Sequence, residues 1–153
     1  MSRQTSLLDC SWILVKDGND TGRDLMDAHY SRRHYWDGRQ NRLFVGPGEK
    51  MVLLFPDAQS LFVWRKFISL DSQAGVNCAV FRNEGPTKSS ELIRQAVELA
   101  RERWPNERFY TYVNPRKIRH KRDPGRCFLK AGWRHYGWSK RGLRILELIP
   151  EAA

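Results

Sequence analysis

Cysteine is scarce in this chain of 153 residues: Cys10, Cys78 and Cys127 are odd in number and far apart. That argues against a disulfide framework and a zinc ribbon and suits a reducing compartment. Long apolar runs are missing too; none approaches the roughly 18 residues that a membrane span needs. The opening stretch, MSRQTSLLDC, lacks an apolar segment followed by a small-residue cleavage site, so no secretory signal is expected and the chain reads as cytoplasmic. Neither repeats nor low-complexity stretches occur. The histidines, His29, His34, His120 and His135, do not fall at metal-site spacing, and no metal is expected. With 41% hydrophobic and 29% charged residues, the composition is that of a folded protein rather than a disordered one. The length suits a single domain over residues 1–153.

What the chain has in excess is positive charge, +10 in all, and it is unevenly placed. Residues 101–144 hold 14 Lys/Arg against Glu102, Glu107 and Asp123, a net of +11, while the remainder is close to neutral. The densest run is Arg116-Lys117-Ile118-Arg119-His120-Lys121-Arg122. Such a run is often only a solvated loop. Confinement of the whole excess to one third of the chain points instead to a polyanion, with nucleic acid as the expected partner.

Residues 11–16 (SWILVK) read as a short strand, 18–20 as a turn, and 23 to about 35 as one or two short helices. Residues 51–55 and 61–68 read as a hairpin, and 76–82 as a further strand. A helix over residues 91–104, capped by Ser90, carries Leu92, Ile93, Ala96, Val97, Ala100 and Trp104 on one face, and Pro105 ends it. Residues 108–113 form a strand, 124–131 a short helix with Gly132 just beyond, and 133–138 and 143–149 the last strands. Strand, long helix and strand over 76–113 make one crossover, expected to be parallel and right-handed. The class is α/β: a mixed central sheet of about six to seven strands flanked by about four helices.

This succession resembles the GNAT acyltransferase superfamily over nearly the full length. The most specific local match is Cys127-Phe128-Leu129-Lys130-Ala131-Gly132-Trp133-Arg134 followed by Gly137, similar to that superfamily's late helix and the strand after it. Tyr112-Val113-Asn114-Pro115 resembles the end of its fifth strand. The resemblance implies that the fourth and fifth strands splay apart, with the acyl-donor thioester in the gap. His29-Tyr30-Ser31, a Gly-Pro turn, two strands, Arg82-Asn83-Glu84, a serine-led helix and Trp104-Pro105 are further similar to the phage Mom group, which modifies adenine in phage DNA. The implied setting is the host cytoplasm.

The resemblance carries catalytic roles to His29, Tyr30 and Ser31. It places Arg82, Asn83 and Ser90 at the donor site, with acetyl-CoA or another acyl-CoA as the donor; Lys88 and Ser89 beside them, and Asn114 and Phe128 at the matching later positions, are further donor-site candidates. Two positions depart from the Mom pattern: Asn114 stands where that group has an acidic residue, and Phe128 where it has a tyrosine. The loop Arg82-Asn83-Glu84-Gly85-Pro86-Thr87-Lys88 is a degenerate form of the superfamily's phosphate loop, because Thr87 replaces its second glycine and Pro86 lacks an N–H donor. Ser90 is either a phosphate contact or only a helix cap, and Lys88 either a contact or only solvated.

From the residues themselves, a neutral imidazole such as His29 takes a proton from an attacking amine, and a phenol such as Tyr30 returns one to a leaving thiolate. Arg32, Arg33, Arg116, Lys117, Arg119, Lys121, Arg122, Lys140 and Arg141 are the candidate phosphate contacts of DNA. Trp138, which leads the turn Ser139-Lys140-Arg141-Gly142, is the aromatic expected to be exposed, whereas Trp64, Trp133 and Cys78 are expected in the core. Cys127, near the basic run, is a candidate for an activated thiol. The expected function is transfer of an acyl group to an amine of a modified or unmodified DNA base. The alternatives are a GNAT enzyme acting on a small-molecule or protein amine, and a nucleic-acid-binding module that keeps the fold without the chemistry.

Overall fold

The computed structural model of the protein describes residues 12–27, 45–68, 73–117 and 124–150. The chain runs β1 (Ile13–Val15), α1 (Asp20–Asp27), β2 (Glu49–Leu54), β3 (Ser60–Lys66), β4 (Val76–Asn83), α2 (Ser89–Arg103), β5 (Phe109–Val113), a 3-10 turn (Pro115–Lys117), α3 (Arg126–Lys130), β6 (Arg134–Trp138) and β7 (Arg144–Leu148). The strands form a seven-stranded sheet in the order β1-β2-β3-β4-β5-β7-β6. Neighbours pair antiparallel except β4 and β5, which the α2 crossover makes parallel. The expected α/β class, the mixed sheet and the strand count stand; among the described residues there are three α-helices.

Local chemistry moves two helix starts from their expected places. Helix α1 begins at Asp20, not near residue 23, because the Asn19 side chain accepts the Gly22 N–H at 3.0 Å and closes the first turn. The remainder of the helical stretch expected up to residue 35 lies outside the described residues. Helix α2 begins at Ser89, with Lys88 at the capping position and no side-chain hydrogen bond to the first turn. The expectation that Ser90 caps it is therefore corrected: Ser90 lies inside the helix.

Two layers cover the sheet. On one face α2 and α3 press Leu92, Ile93, Ala96, Ala100 and Phe128 onto Trp12, Phe62, Trp64, Phe109, Trp133 and Leu146. Small Ala96 and Ala100 let the helix approach closely, and two indoles bind it directly: Trp64 Nε1–H donates to Ala96 O at 3.1 Å and Trp12 Nε1–H to Leu92 O at 2.9 Å. On the other face α1 sets Leu25 and Met26 against Val52, Leu61, Val63 and Val80.

The segment from Phe128 to Trp133 has a purely structural logic. Gly132 takes φ +98°, its N–H donates to Leu129 O at 3.1 Å, and the Trp133 N–H reaches back to Phe128 O at 3.0 Å. This is the Schellman ending of a helix, in which a left-handed residue lets the chain reverse over the last turn. The apolar contact that accompanies it is Phe128 on Trp133, with ring centroids 4.9 Å apart. The aromatic-to-Gly-to-aromatic spacing in the sequence is thus the spacing that ends α3 and starts β6.

Candidate functional site

Pairing between β4 and β5 covers Val76 with Phe109, Asn77 with Tyr110 and Cys78 with Thr111, and goes no further. Strand β4 continues to Asn83 alongside β3, and β5 to Val113 alongside β7. At the last rung Thr111 Oγ1 donates to Cys78 O at 3.0 Å, so a side chain occupies the carbonyl where the backbone ladder stops. Beyond this rung the carboxyl ends of the two strands are not paired with each other, and in open α/β sheets ligands sit at the carboxyl ends of the strands.

Three loops gather around this end. Asn83 organises the first, between β4 and α2. Its Oδ1 accepts Ser60 Oγ–H at 2.7 Å and Gly85 N–H at 3.0 Å; its Nδ2 donates to Thr87 O at 2.8 Å and Ser89 Oγ at 3.0 Å. All four bonds are internal, so Asn83 shapes the loop. Arg82 pairs with Glu84 at 2.8 Å, and Lys88 is exposed. A Cβ on Gly85 would lie 2.8 Å from Asp57 Oδ2 and 3.2 Å from Gln59 Cβ, in the β2–β3 turn. Ser89 and Ser90 stand in the first turn of α2, whose N–H groups no side chain caps. Such a terminus favours an anion.

The second loop leaves β5. Asn114 Oδ1 accepts the Arg116 N–H at 3.0 Å, turning the chain into the 3-10 segment, and Arg116 is exposed. The loop rejoins described structure at Pro124, whose carbonyl accepts from Arg144 Nη1 at 2.9 Å. Phe128 is in the core, 6.0 Å edge-on from Phe81 of β4, and its ring has no proton to give. The third loop is the β6–β7 turn with exposed Lys140 and Arg141. The structure thus brings Asn83, Lys88, Ser89, Ser90, Asn114, Arg116, Lys140 and Arg141 to one end of the sheet. His29, Tyr30, Ser31, Arg32, Arg33, Arg119, Lys121 and Arg122 lie outside the described residues, as do His34 and His120; of Lys117 only the backbone is described.

Burial leaves both described cysteines as thiols. Loss of solvent pushes Cys78 and Cys127 up from the ordinary thiol range, which corrects the expectation that Cys127 is activated. Among the described residues no group of three His, Cys, Asp or Glu could hold a metal, and no helix is long and apolar enough to cross a membrane.

One cluster escaped the sequence reading. Glu147, only 3% exposed, accepts from Arg108 Nε at 2.6 Å and Arg134 Nε at 2.8 Å. Arg108 also lies 4.7 Å from the Tyr136 ring. No local pattern in RILEL marks its glutamate as paired, because its partners come from β6 and from the entry to β5. These residues line a cavity of about 550 Å³. Glu147 is level with Tyr110, where β4 and β5 are still paired, so the cluster sits at the closed end and braces it.

Desolvation drives the Glu147 carboxyl up, but the hydrogen bonds and charges of Arg108 and Arg134 together outweigh it and hold it below the ordinary carboxylate range. A carboxyl lowered by folding stabilises fully above its unfolded pKa and loses that contribution as pH falls through the folded one. Glu147→Gln is accordingly expected to cost about 2 kcal/mol at pH 7 and less at pH 3.5, read from urea unfolding of both proteins. A difference that does not shrink in acid would show that the carboxylate charge is not what braces this end.

No protein-family model matches the chain, and no curated protein or solved structure matches it.

Proposed function

We propose that the chain is a GNAT-like acyltransferase of phage type, moving an acetyl or related acyl group from coenzyme A to an amine of a DNA base. The observation that carries the reading is the end of the β4–β5 ladder at Cys78 and Thr111, beside the uncapped first turn of α2. A bound acyl-CoA would supply an activated thioester carbonyl for the amine nitrogen, with coenzyme A leaving as the thiol that takes up the proton the nitrogen loses. The residues present fit such a donor in part. Its pyrophosphate suits the free N–H groups around Ser89 and Ser90, with Lys88 at hand. Gly85 lies beside the Asp57 carboxylate of the β2–β3 turn, which disfavours an anion at that point of the loop. Asn83 serves the donor by keeping the loop in shape, so its loss would weaken binding without removing a contact.

Proton movement falls to His29 and Tyr30. Phe128 has no hydroxyl to protonate a departing thiolate, and the Asn114 carboxamide is engaged by Arg116 N–H and carries no charge. The arrangement of cations around the opening, Arg116, Lys140 and Arg141, supports nucleic acid over a neutral acceptor.

A second reading has its own support. Buried Phe128 and a loop glycine committed to packing are what a nucleic-acid-binding module without transfer chemistry would have. Titration calorimetry with acetyl-CoA separates the two: binding that weakens markedly in Asn83→Ala supports transfer, and no heat with acetyl-CoA or related donors supports the module. Nucleoside analysis of DNA from cells expressing the protein with its partner enzymes completes the test. An acylated nucleoside present with the wild type and lost with His29→Ala is expected; identical profiles from both would overturn the enzymatic reading.

A further inference from the structure

Strand β6 closes the sheet on one side, and its last residue is an exposed indole. Trp138 is 58% exposed, next to Tyr136 at 55%. Register fixes where Trp138 stands. It pairs with Arg144, and Arg144 pairs with Val113, the final residue of β5. Trp138 is therefore level with the open end of the β4–β5 ladder, two strand spacings or about 10 Å of backbone from Val113.

The surroundings of Trp138 are built rather than incidental. Its ring lies 5.7 Å from that of His135, at 59°. His135 Nδ1 accepts from Arg144 Nε at 3.0 Å, while Arg144 Nη1 donates to Pro124 O at 2.9 Å, so one guanidinium ties the platform to the start of the segment that leads into α3. The turn beyond is tight: Ser139 N–H donates to Leu143 O at 2.8 Å, Leu143 N–H to Ser139 Oγ at 3.1 Å, and Gly142 takes φ +83°. Lys140 and Arg141 project from it exposed, with no ion pair among the described residues. From residue 133 to 144 the chain carries Arg134, Lys140, Arg141 and Arg144 and no acidic residue.

We infer that Trp138 and His135 form a stacking platform for an unpaired base, and that the nucleic acid taken at this end of the sheet is single-stranded or locally opened. Cations flanking an exposed indole suit a polyanion whose units carry flat faces. In a duplex those faces are covered by neighbouring bases, so intact duplex offers phosphates to Lys140 and Arg141 but nothing to Trp138. The inference rests on the proposed nucleic-acid substrate and narrows it to bases outside the stack.

The test is fluorescence anisotropy with a labelled oligo-dT of about 12 nucleotides, enough to span a site of usual size, and with a duplex of equal length, using the full chain. Trp138→Ala is expected to weaken oligo-dT binding about tenfold or more, to leave duplex binding nearly unchanged and to leave the salt dependence of both unchanged, since stacking releases no counterions. Trp138→Phe is expected to recover most of the loss. Lys140→Gln with Arg141→Gln is expected to flatten the salt dependence for oligo-dT by about 1.4 in the log–log slope. Oligo-dT affinity equal in wild type and Trp138→Ala, or equal losses for oligo-dT and duplex, would overturn the platform. No oligo-dT binding at low salt would overturn it as well. Failure to bind acetyl-CoA, with the Trp138 effect intact, would remove the transfer reading and leave the platform standing.

Discussion

Raising salt from about 50 to 200 mM is expected to weaken binding of nucleic acid by roughly three orders of magnitude. Arg116, Lys117, Arg119, Lys121, Arg122, Lys140 and Arg141 are the cations of the two basic runs, and no acidic residue falls within either. Each phosphate neutralised releases condensed counterions and contributes about −0.9 to the log–log slope on duplex and about −0.7 on a single strand. With every one of these side chains engaged, the slope lies near −5 to −6, and a fourfold change in salt becomes about a thousandfold change in affinity. Replacing Arg119, Lys121 and Arg122 by glutamine is expected to flatten the slope by about 2 to 3. A slope near zero in the wild type, or one that the triple replacement leaves alone, would show that the basic third of the chain does not meet phosphates.

The largest expected loss of stability is at Trp64. Its side chain has no exposed surface; its ring lies 4.7 Å from Phe62, 4.9 Å from Phe109 and 6.2 Å from Trp133, and its indole N–H binds Ala96 O. It is the joint between the β3–β4–β5 part of the sheet and the middle of α2. Truncating such a residue removes the transfer energy of the ring and leaves a cavity, together about 3–5 kcal/mol. That is a large share of the roughly 5–15 kcal/mol that holds a domain folded. Trp64→Ala is expected to lower the midpoint of thermal unfolding by about 10 °C or more, while Trp64→Phe retains most of the packing and loses the hydrogen bond. Urea unfolding at 25 °C measures both. A loss under about 1 kcal/mol for the alanine variant would mean that the core closes over the vacancy and that α2 does not depend on this ring.

Much of this was legible in the residue pattern. The buried face of α2 is the set Leu92, Ile93, Ala96, Val97 and Ala100 that helical spacing picks out, joined by Trp104 just after the helix. Each strand fell within a few residues of its expected place, and Trp64, Trp133 and Cys78 are in the core while Trp138 is exposed. Other expectations failed for identifiable reasons. Ser90 looks like a cap because serine before a periodic apolar run usually is one, yet Asn83 holds Ser89 Oγ and the helix starts two residues earlier, at Ser89. Gly85 looks like a phosphate glycine, yet the β2–β3 turn, far off in sequence, is what presses on it. Cys127 neighbours cations in the chain but is half-buried in space, and desolvation decides its thiol.

Periodicity, turn residues and charge are written into short windows of sequence, so the kinds of element, their order, the core candidates and the basic flank follow from the chain without coordinates. Where pairing stops is another matter. The rung at Cys78 and Thr111, the Glu147 bridge to Arg108 and Arg134, and the level of Trp138 with Val113 each join residues 13 or more positions apart. Such distances are set by sheet register and by how two helices settle on one face, and no short window encodes them.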